Sequence, residues 1–245
     1  MLRRIALSLA FVVMMTAQPS HAQYFDGPAY AFPVTDMIGP AITGTSMNSY
    51  IKGRQPAPRR KETAPPKPAA LADLRVGRDP AVSAAVKAAF RNQLVRSNPA
   101  RRAAIDQALA RDWLVGYRDE IASPNGLDSA NLADAVTGYA IAAWAIANKQ
   151  TTVSPRAITA VRDTMRQSMR ASPQTARLTA AARQKMAEEL IHQTVLIMAN
   201  RTEIARTRNG TLAESAARHY RSAALSGMGV DLAKLQLTDR GFASR

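Results

Sequence analysis

Glu189 and His192, in the run Glu188–His192, have the residue types and spacing best suited to chemistry. The E-x-x-H spacing places a carboxylate and an imidazole, both metal ligands, on one face of a helix. Di-iron bundles use two such pairs and two further carboxylates, and this sequence holds no second copy. We therefore predict no metal site and no cofactor, with Glu189 and His192 as the remaining metal candidates. The alternative is a solvated carboxylate pair beside a histidine at the edge of the core.

Motifs of the common enzyme sites are missing from the sequence. It contains no G-x-S-x-G elbow, no Gly-rich phosphate loop and no H-E-x-x-H. Asp119 and Glu120 are adjacent, so their carboxylates point apart on a helix, whereas a glycosidase pair faces across a cleft of about 5–9.5 Å. The absence of cysteine excludes disulfides and thiol chemistry. We predict that the protein is not an enzyme.

Asp134 is a candidate polar position within a predicted central helix. It falls in the first turn, where a carboxylate complements the helix dipole. Asp128 or Ser129, just upstream, can cap the helix. We favour this structural role for Asp134. The alternative is a polar pocket formed by Asp134 and Tyr139.

Positive charge dominates the sequence. Lysine and arginine number 33 against 18 acidic residues, a net charge of +15, and residues 75–245 alone carry 25 basic and 14 acidic residues. Arg162, Arg166 and Arg170 repeat every four residues, opposite Met165 and Met169. Arginine forks suit phosphates and carboxylates, so we predict polyanion contacts at these three arginines. The alternative is a compositional bias towards arginine with no binding role.

The N-terminus has the pattern of a secretory signal peptide. Arg3 and Arg4 precede an apolar run over 5–17, and small residues lead to a predicted cleavage between Ala22 and Gln23. The run is shorter than the ~20 residues that span a bilayer. Residues 1–22 are therefore predicted to be removed on export, to the periplasm or the extracellular medium.

Residues 23–74 are predicted to form an extended, disordered linker. Eight prolines lie between Pro28 and Pro68, and six basic residues with one acid lie between Lys52 and Lys67. Residues 23–32 hold four aromatic residues. This aromatic segment either lies loosely against the domain or is a docking motif for a partner.

Residues 75–245 are predicted to form an all-α, compact bundle of about six to seven helices. Asp79, Asn98 and Ser154 each precede a proline, as helix caps do. Thr179 or Leu178 is predicted to open another helix, and no segment alternates long enough to predict a sheet. Thr211 and Glu214 form a T-x-x-E capping box, and Gly227 and Gly229 end that helix. The predicted helices are 80–96, 99–110, 112–122, 130–147, 155–171, 180–206 and 212–225.

Short motifs in this domain resemble a family of uncharacterised exported proteobacterial proteins, a domain of unknown function. They are the run 131–135 followed by Trp144, then 229–232 and 237–242. The resemblance covers roughly Leu74 to Phe242. It implies a helical domain after a signal peptide and a variable Pro-rich tail, and supplies no activity, cofactor or catalytic residue.

Together these patterns predict an exported, non-enzymatic helical protein. Its expected partner is an anionic polymer or lipid surface of the cell envelope, bound through basic side chains. The alternative is an interaction module whose helical groove binds a peptide segment or a protein partner. An enzyme or metal protein is the less favoured third hypothesis. Nucleic acid is not the expected partner because the chain is predicted to be exported.

Overall fold

A computed structural model describes residues 71–245, apart from the side chains of residues 227 and 228. The predicted signal peptide, its cleavage after Ala22, the aromatic segment and nearly all of the linker lie outside the described residues. The described chain is mostly helical. Its elements are α1 Pro80–Ser97, α2 Arg102–Leu109, α3 Trp113–Tyr117, α4 Leu132–Ala147, α5 Pro155–Arg170, α6 Pro173–Ala176, α7 Ala180–Thr207, α8 Gly210–Met228, β1 Leu235–Thr238 and β2 Gly241–Ser244.

The long helices begin where their capping residues predict. Asp79, Ser154 and Thr179 accept hydrogen bonds from backbone N–H groups in the first turns of α1, α5 and α7. The predicted capping box of α8 is wrong, because Asn209 caps this helix two residues earlier. Gly229 ends α8 as predicted, with the left-handed φ of +64° that glycine tolerates best, whereas Gly227 lies inside the helix.

Two predicted helices are shorter than expected, and one helix was not predicted. The segment 99–110 begins as a 3₁₀ turn over Pro99–Arg101 before α2. The segment 112–122 contains α3 and then a π-helical turn over Arg118–Ala122. The four-residue helix α6 lies between α5 and α7, capped by Ser172.

A small β-hairpin at the C-terminus corrects the all-α prediction. β1 and β2 pair antiparallel, with Leu235 opposite Ser244. Leu235 and Phe242 are buried, and the Trp144 Nε1 atom of α4 donates a 3.0 Å hydrogen bond to the Leu235 carbonyl. Each strand has only four residues, which is too short to show the alternation that predicts a sheet.

Helix α4 forms the centre of the core, as its apolar sequence predicts. Every residue of α4 is buried, and the helix contacts α5, α7 and α8. Its many alanines let the neighbouring helices approach closely. At Gly138 a Cβ atom would lie 2.5 Å from the Tyr117 Oη atom, so a larger residue here would require the buried Tyr117 ring to shift.

The segment Leu71–Asp79, here called the strap, ties the start of the described chain to three helices. Ala72 N donates to the Arg170 carbonyl at the end of α5, and Leu132 N, at the start of α4, donates to the Leu74 carbonyl. Both bonds are 2.9 Å long. Leu74, predicted as the last linker residue, is buried in the core. The strap therefore fixes the point at which the basic linker reaches the domain.

Candidate functional site

The E-x-x-H segment lies on a buried polar face of α7, formed by Gln184, Glu188 and His192 at four-residue spacing. Glu188 Oε1 accepts hydrogen bonds from Ser83 Oγ at 2.7 Å and from Gln184 Nε2 at 2.9 Å. Glu188 and Glu189 are both buried, so the expected solvated carboxylate pair is wrong. The segment packs against α1 and α3 instead of facing solvent.

Gln184 joins this polar face to the start of α1. Its Oε1 atom accepts from Asp79 N, and its Nε2 atom donates to the Asp79 carbonyl, both at 2.8 Å. One amide thus satisfies both backbone groups of the residue that caps α1. Because a buried polar group without partners is costly, this amide stabilises the contact between α1 and α7.

His192 packs against two aromatic rings, which also contact each other, and is held as a neutral imidazole. Its ring centroid is 5.2 Å from Phe90 and 5.9 Å from Trp113. The Nδ1 atom is 2.7 Å from the Glu188 carbonyl oxygen, so Nδ1 carries a proton and donates it to that oxygen. Burial lowers the pKa of His192, and the hydrogen bond to the Glu188 backbone opposes this shift.

Glu189 points to a different partner from His192. Its Oε1 atom pairs with the Lys185 ammonium one turn earlier, and burial raises the pKa of Glu189. Within residues 71–245, no donor reaches the buried Oε2 atoms of Glu188 and Glu189. Nor does that part of the chain bring together three or more His, Cys, Asp or Glu side chains that could hold a metal ion. Glu189 and His192 thus interact with different partners, the Lys185 ammonium and the Glu188 carbonyl.

Asp134 forms an ion pair inside the domain. Its two carboxylate oxygens accept from Arg166 Nε at 2.7 Å and Arg166 Nη2 at 2.5 Å, and Oδ2 also accepts from Asp128 N. Asp134 is fully buried, whereas the Arg166 side chain is 31% exposed. This bidentate geometry is the strongest that arginine and a carboxylate form. Asp134 therefore neutralises the charge of Arg166 on α5.

The predicted capping residues of α4 need correction. Asn131, and neither Asp128 nor Ser129, caps α4 by accepting from Ala133 N. The phenol that Asp134 influences is Tyr117: burial and, secondarily, the Asp134 charge raise its pKa. Burial also raises the pKa of Tyr139.

The three arginines predicted to bind polyanions have different environments. Arg162 donates from Nη1 to the Gly126 carbonyl at 2.9 Å and pairs with Asp163. Arg166 is engaged by Asp134. Arg170 is exposed at the end of α5. Of the three, Arg170 presents the most accessible guanidinium, while Arg162 and Arg166 support the fold.

A second group of arginines surrounds the strap, and we call Arg75, Arg170, Arg177 and Arg183 the basic end. Arg183 Nε donates to the Arg75 carbonyl at 3.0 Å, and its Nη1 atom donates to the Leu178 carbonyl at 2.8 Å. Arg177 directly precedes Leu178. Sequence spacing did not reveal this group, because its members come from the strap, α5, the residue after α6, and α7.

The model of a protein family of unknown function, DUF6683, matches residues 1–245 of the chain. The chain belongs to the DUF6683 family. No curated protein and no solved structure matches the chain. The DUF6683 description names no activity, so a function for this chain is argued from its own side chains. Among the helices of residues 71–245, none is both long and apolar enough to cross a membrane.

Proposed function

We propose that this DUF6683 protein is exported and acts without catalysis, by associating with anionic components of the cell envelope through its basic surface. The observation that carries the proposal is the distribution of charge in residues 71–245. Most carboxylates there are engaged by cations or by helix starts of the same fold, while a set of cations remains at the surface. Such a surface attracts anionic polymers and lipid headgroups.

The carboxylates of the described chain serve mainly internal contacts. Asp79 and Asp112 accept backbone N–H bonds at the starts of α1 and α3. A larger set pairs with lysine or arginine within 4 Å: Asp73, Asp106, Asp119, Asp134, Asp163, Glu189, Glu203, Glu214 and Asp231. These carboxylates are thus already matched to partners within the domain.

The remaining positive charge lies on the surface. Twelve exposed cations take no part in these ion pairs of residues 71–245: Arg78, Lys87, Arg96, Arg102, Arg111, Arg156, Arg170, Arg177, Arg208, Arg218, Arg240 and Arg245. A guanidinium at the surface can bind a phosphate or carboxylate without breaking an internal contact. This supports binding at the surface.

The polar groups on α7 support a role other than catalysis. Gln184 and Glu188 hold α1 in place, and His192 packs against two aromatic rings. A catalytic base must reach a substrate proton at hydrogen-bond distance, whereas His192 is only 3% exposed. We assign these residues to stability.

Export is supported by the pattern of residues 1–22 and by the resemblance to exported proteobacterial proteins. The test is expression of the full chain in a bacterium with two membranes, followed by fractionation and mass analysis of the N-terminus. We expect a protein that begins at Gln23, outside the cytoplasmic membrane. A chain that keeps residues 1–22 and stays in the cytoplasm would overturn export.

Binding is tested by co-sedimentation of that protein with purified envelope fractions at about 0.1 M and about 0.5 M NaCl, since salt screens surface charges. We expect binding at the lower salt concentration and release at the higher. Binding that is absent, or that does not respond to salt, would contradict association through the basic surface. Salt-insensitive capture by a protein in the fraction would favour the interaction-module alternative.

A further inference from the structure

Two Asn-Gly pairs lie in the described chain, at Asn125–Gly126 and at Asn209–Gly210. This dipeptide is prone to deamidation, because glycine has no Cβ atom to keep its backbone nitrogen away from the asparagine side chain. All four residues are exposed, so water reaches both pairs. The two pairs therefore share the same intrinsic chemistry and differ in the hydrogen bonds around them.

The Asn125–Gly126 pair has both of its reacting nitrogens engaged. The Asn125 Nδ2 atom, which would leave, donates to the Ile121 carbonyl at 2.7 Å. The Gly126 nitrogen, which would attack, donates to the Ser123 carbonyl at 3.1 Å. Deamidation at Asn125 therefore requires both hydrogen bonds to open first.

The Asn209–Gly210 pair lies at the junction of α7 and α8 and leaves the attacking nitrogen available. Gly210 is the first residue of α8, so its N–H has no acceptor within that helix. A Cβ atom at Gly210 would meet nothing within 4 Å apart from its chain neighbours and its own helix, so the surrounding space is open. Residues 205–211 are all exposed. Ring closure at this junction therefore meets no steric barrier from the rest of the fold.

The cap of α8 polarises the Asn209 side chain for the same reaction. The Asn209 Oδ1 atom accepts from Leu212 N at 2.9 Å. When a nucleophile adds to Cγ, negative charge develops on Oδ1, so this N–H stabilises the charge where it forms. Because the cap bond engages Oδ1, the Nδ2 group can leave without breaking it.

We propose that Asn209 is a deamidation site of the folded protein, and that Asn125 is not. Hydroxide removes the Gly210 amide proton, and the nitrogen attacks Asn209 Cγ to form a five-membered succinimide. The Cγ–Nδ2 bond breaks, and the amide leaves as ammonia after it takes a proton from water, which regenerates hydroxide. Water then adds to either carbonyl of the ring and opens it to aspartate or isoaspartate.

Each product changes the junction in a defined way. Aspartate keeps an oxygen for the cap and places a carboxylate at the start of α8, where the helix dipole favours it. Isoaspartate adds a methylene group to the backbone, which displaces the cap and the bond from Ala213 N to the carbonyl of residue 209. Both products lower the net charge of the surface by one, next to the exposed Arg208.

The test incubates the folded, full-length protein for several weeks at mildly alkaline pH, and peptide mass analysis follows each asparagine separately. We expect Asn209 to react about 30-fold faster than Asn125, because two hydrogen bonds have to open at Asn125. In concentrated urea the two pairs should react at similar rates, since unfolding removes the contacts of both.

Two variants separate ring closure from a general change at the junction. Gly210→Ala should fold, because the space at Gly210 accepts a methyl group. Its new Cβ atom hinders the approach of the nitrogen to Cγ, so deamidation of Asn209 should be nearly lost. Thr211→Ala is the matched control: it changes an exposed side chain of the same turn and should react as the wild type does. Thermal unfolding checks that both variants fold.

Three outcomes would overturn the inference. Equal rates at Asn125 and Asn209 in the folded protein would show that the fold selects neither site. Reaction of Asn209 in urea but not in the folded protein would show that the cap protects it. Equal slowing by Gly210→Ala and Thr211→Ala would show that ring closure at Gly210 does not govern the reaction. None of these measurements depends on envelope binding, so the proposed function is tested separately.

Discussion

The buried polar face of α7 and the basic end both contact the strap, yet their polar groups differ. Those of the buried face are paired or neutral, whereas the basic end keeps exposed charges. On the buried face, Gln184 bonds both backbone groups of Asp79, and His192 is held neutral against two aromatic rings. At the basic end, Arg75 and Arg170 remain exposed. Burial requires a polar group to be paired or neutral, so the excess charge of this sequence is at the surface.

Helix α5 contains the same contrast within one turn. Arg166 is engaged by the fully buried Asp134, while Arg170, four residues later, is exposed. A regular arginine spacing therefore conceals two roles, one in stability and one at the surface. The predictions below test whether these roles separate.

The largest effect is expected at Asp134. Replacing it with alanine removes a bidentate partner from Arg166 and an acceptor from Asp128 N. Because Arg166 is partly exposed, water replaces some of what is lost, and we expect the free energy of unfolding to fall by about 3 kcal/mol. Urea denaturation measures the change. Asp163→Ala is the control: its side chain is 59% exposed, and we expect less than about 0.5 kcal/mol.

A smaller effect is expected at Gln184. Gln184→Ala removes the acceptor for Asp79 N and the donor to the Asp79 carbonyl. We expect a loss of about 2 kcal/mol in the same assay, because these polar groups lose their partner in a partly buried setting. Gln167→Ala on exposed α5 surface serves as the control. Equal changes in the two variants would show that the amide does not hold α1 to α7.

The smallest effect is a pH dependence from His192. Burial lowers its folded-state pKa below the unfolded value of about 6.5. Protonation therefore favours the unfolded chain, so stability is intact above about pH 6.5 and falls as the pH decreases. Between about pH 7.5 and 5.5, we expect the wild type to lose about 1 kcal/mol more than His192→Phe.

Other charges near His192 act alike in both proteins of that comparison. Glu188, Lys87 and Asp112 are the charged groups that influence its ring. The raised pKa of Glu189 acts in the opposite direction, since its contribution is present at low pH and is lost as the pH rises through the folded-state pKa. Parallel pH curves for wild type and His192→Phe would contradict a buried, neutral His192.

Local signals predicted much of the helical fold. Asp79, Ser154 and Thr179 mark helix starts through contacts within three residues, and the apolar run of α4 predicts its central position. The hairpin was missed because its strands are short, and its docking depends on Trp144, 91 residues from Leu235.

The side-chain contacts that matter most leave no local pattern. Asp134 and Arg166 are 32 residues apart, and Gln184 and Asp79 are 105 apart. No periodicity or motif encodes such a pair, because each partner is also compatible with an exposed helix position. The basic end escaped prediction for the same reason.

Paired measurement of Arg166→Ala and Arg170→Ala tests the central claim most directly. Each variant is assayed for urea unfolding and for salt-sensitive binding to anionic vesicles. We predict that Arg166→Ala loses about 3 kcal/mol of stability, because the buried Asp134 carboxylate loses its partner. The folded fraction of this variant should bind the vesicles as the wild type does. Arg170→Ala should keep its stability and bind roughly fivefold more weakly. If both variants changed the same property to the same extent, the division between internal and surface arginines would be contradicted.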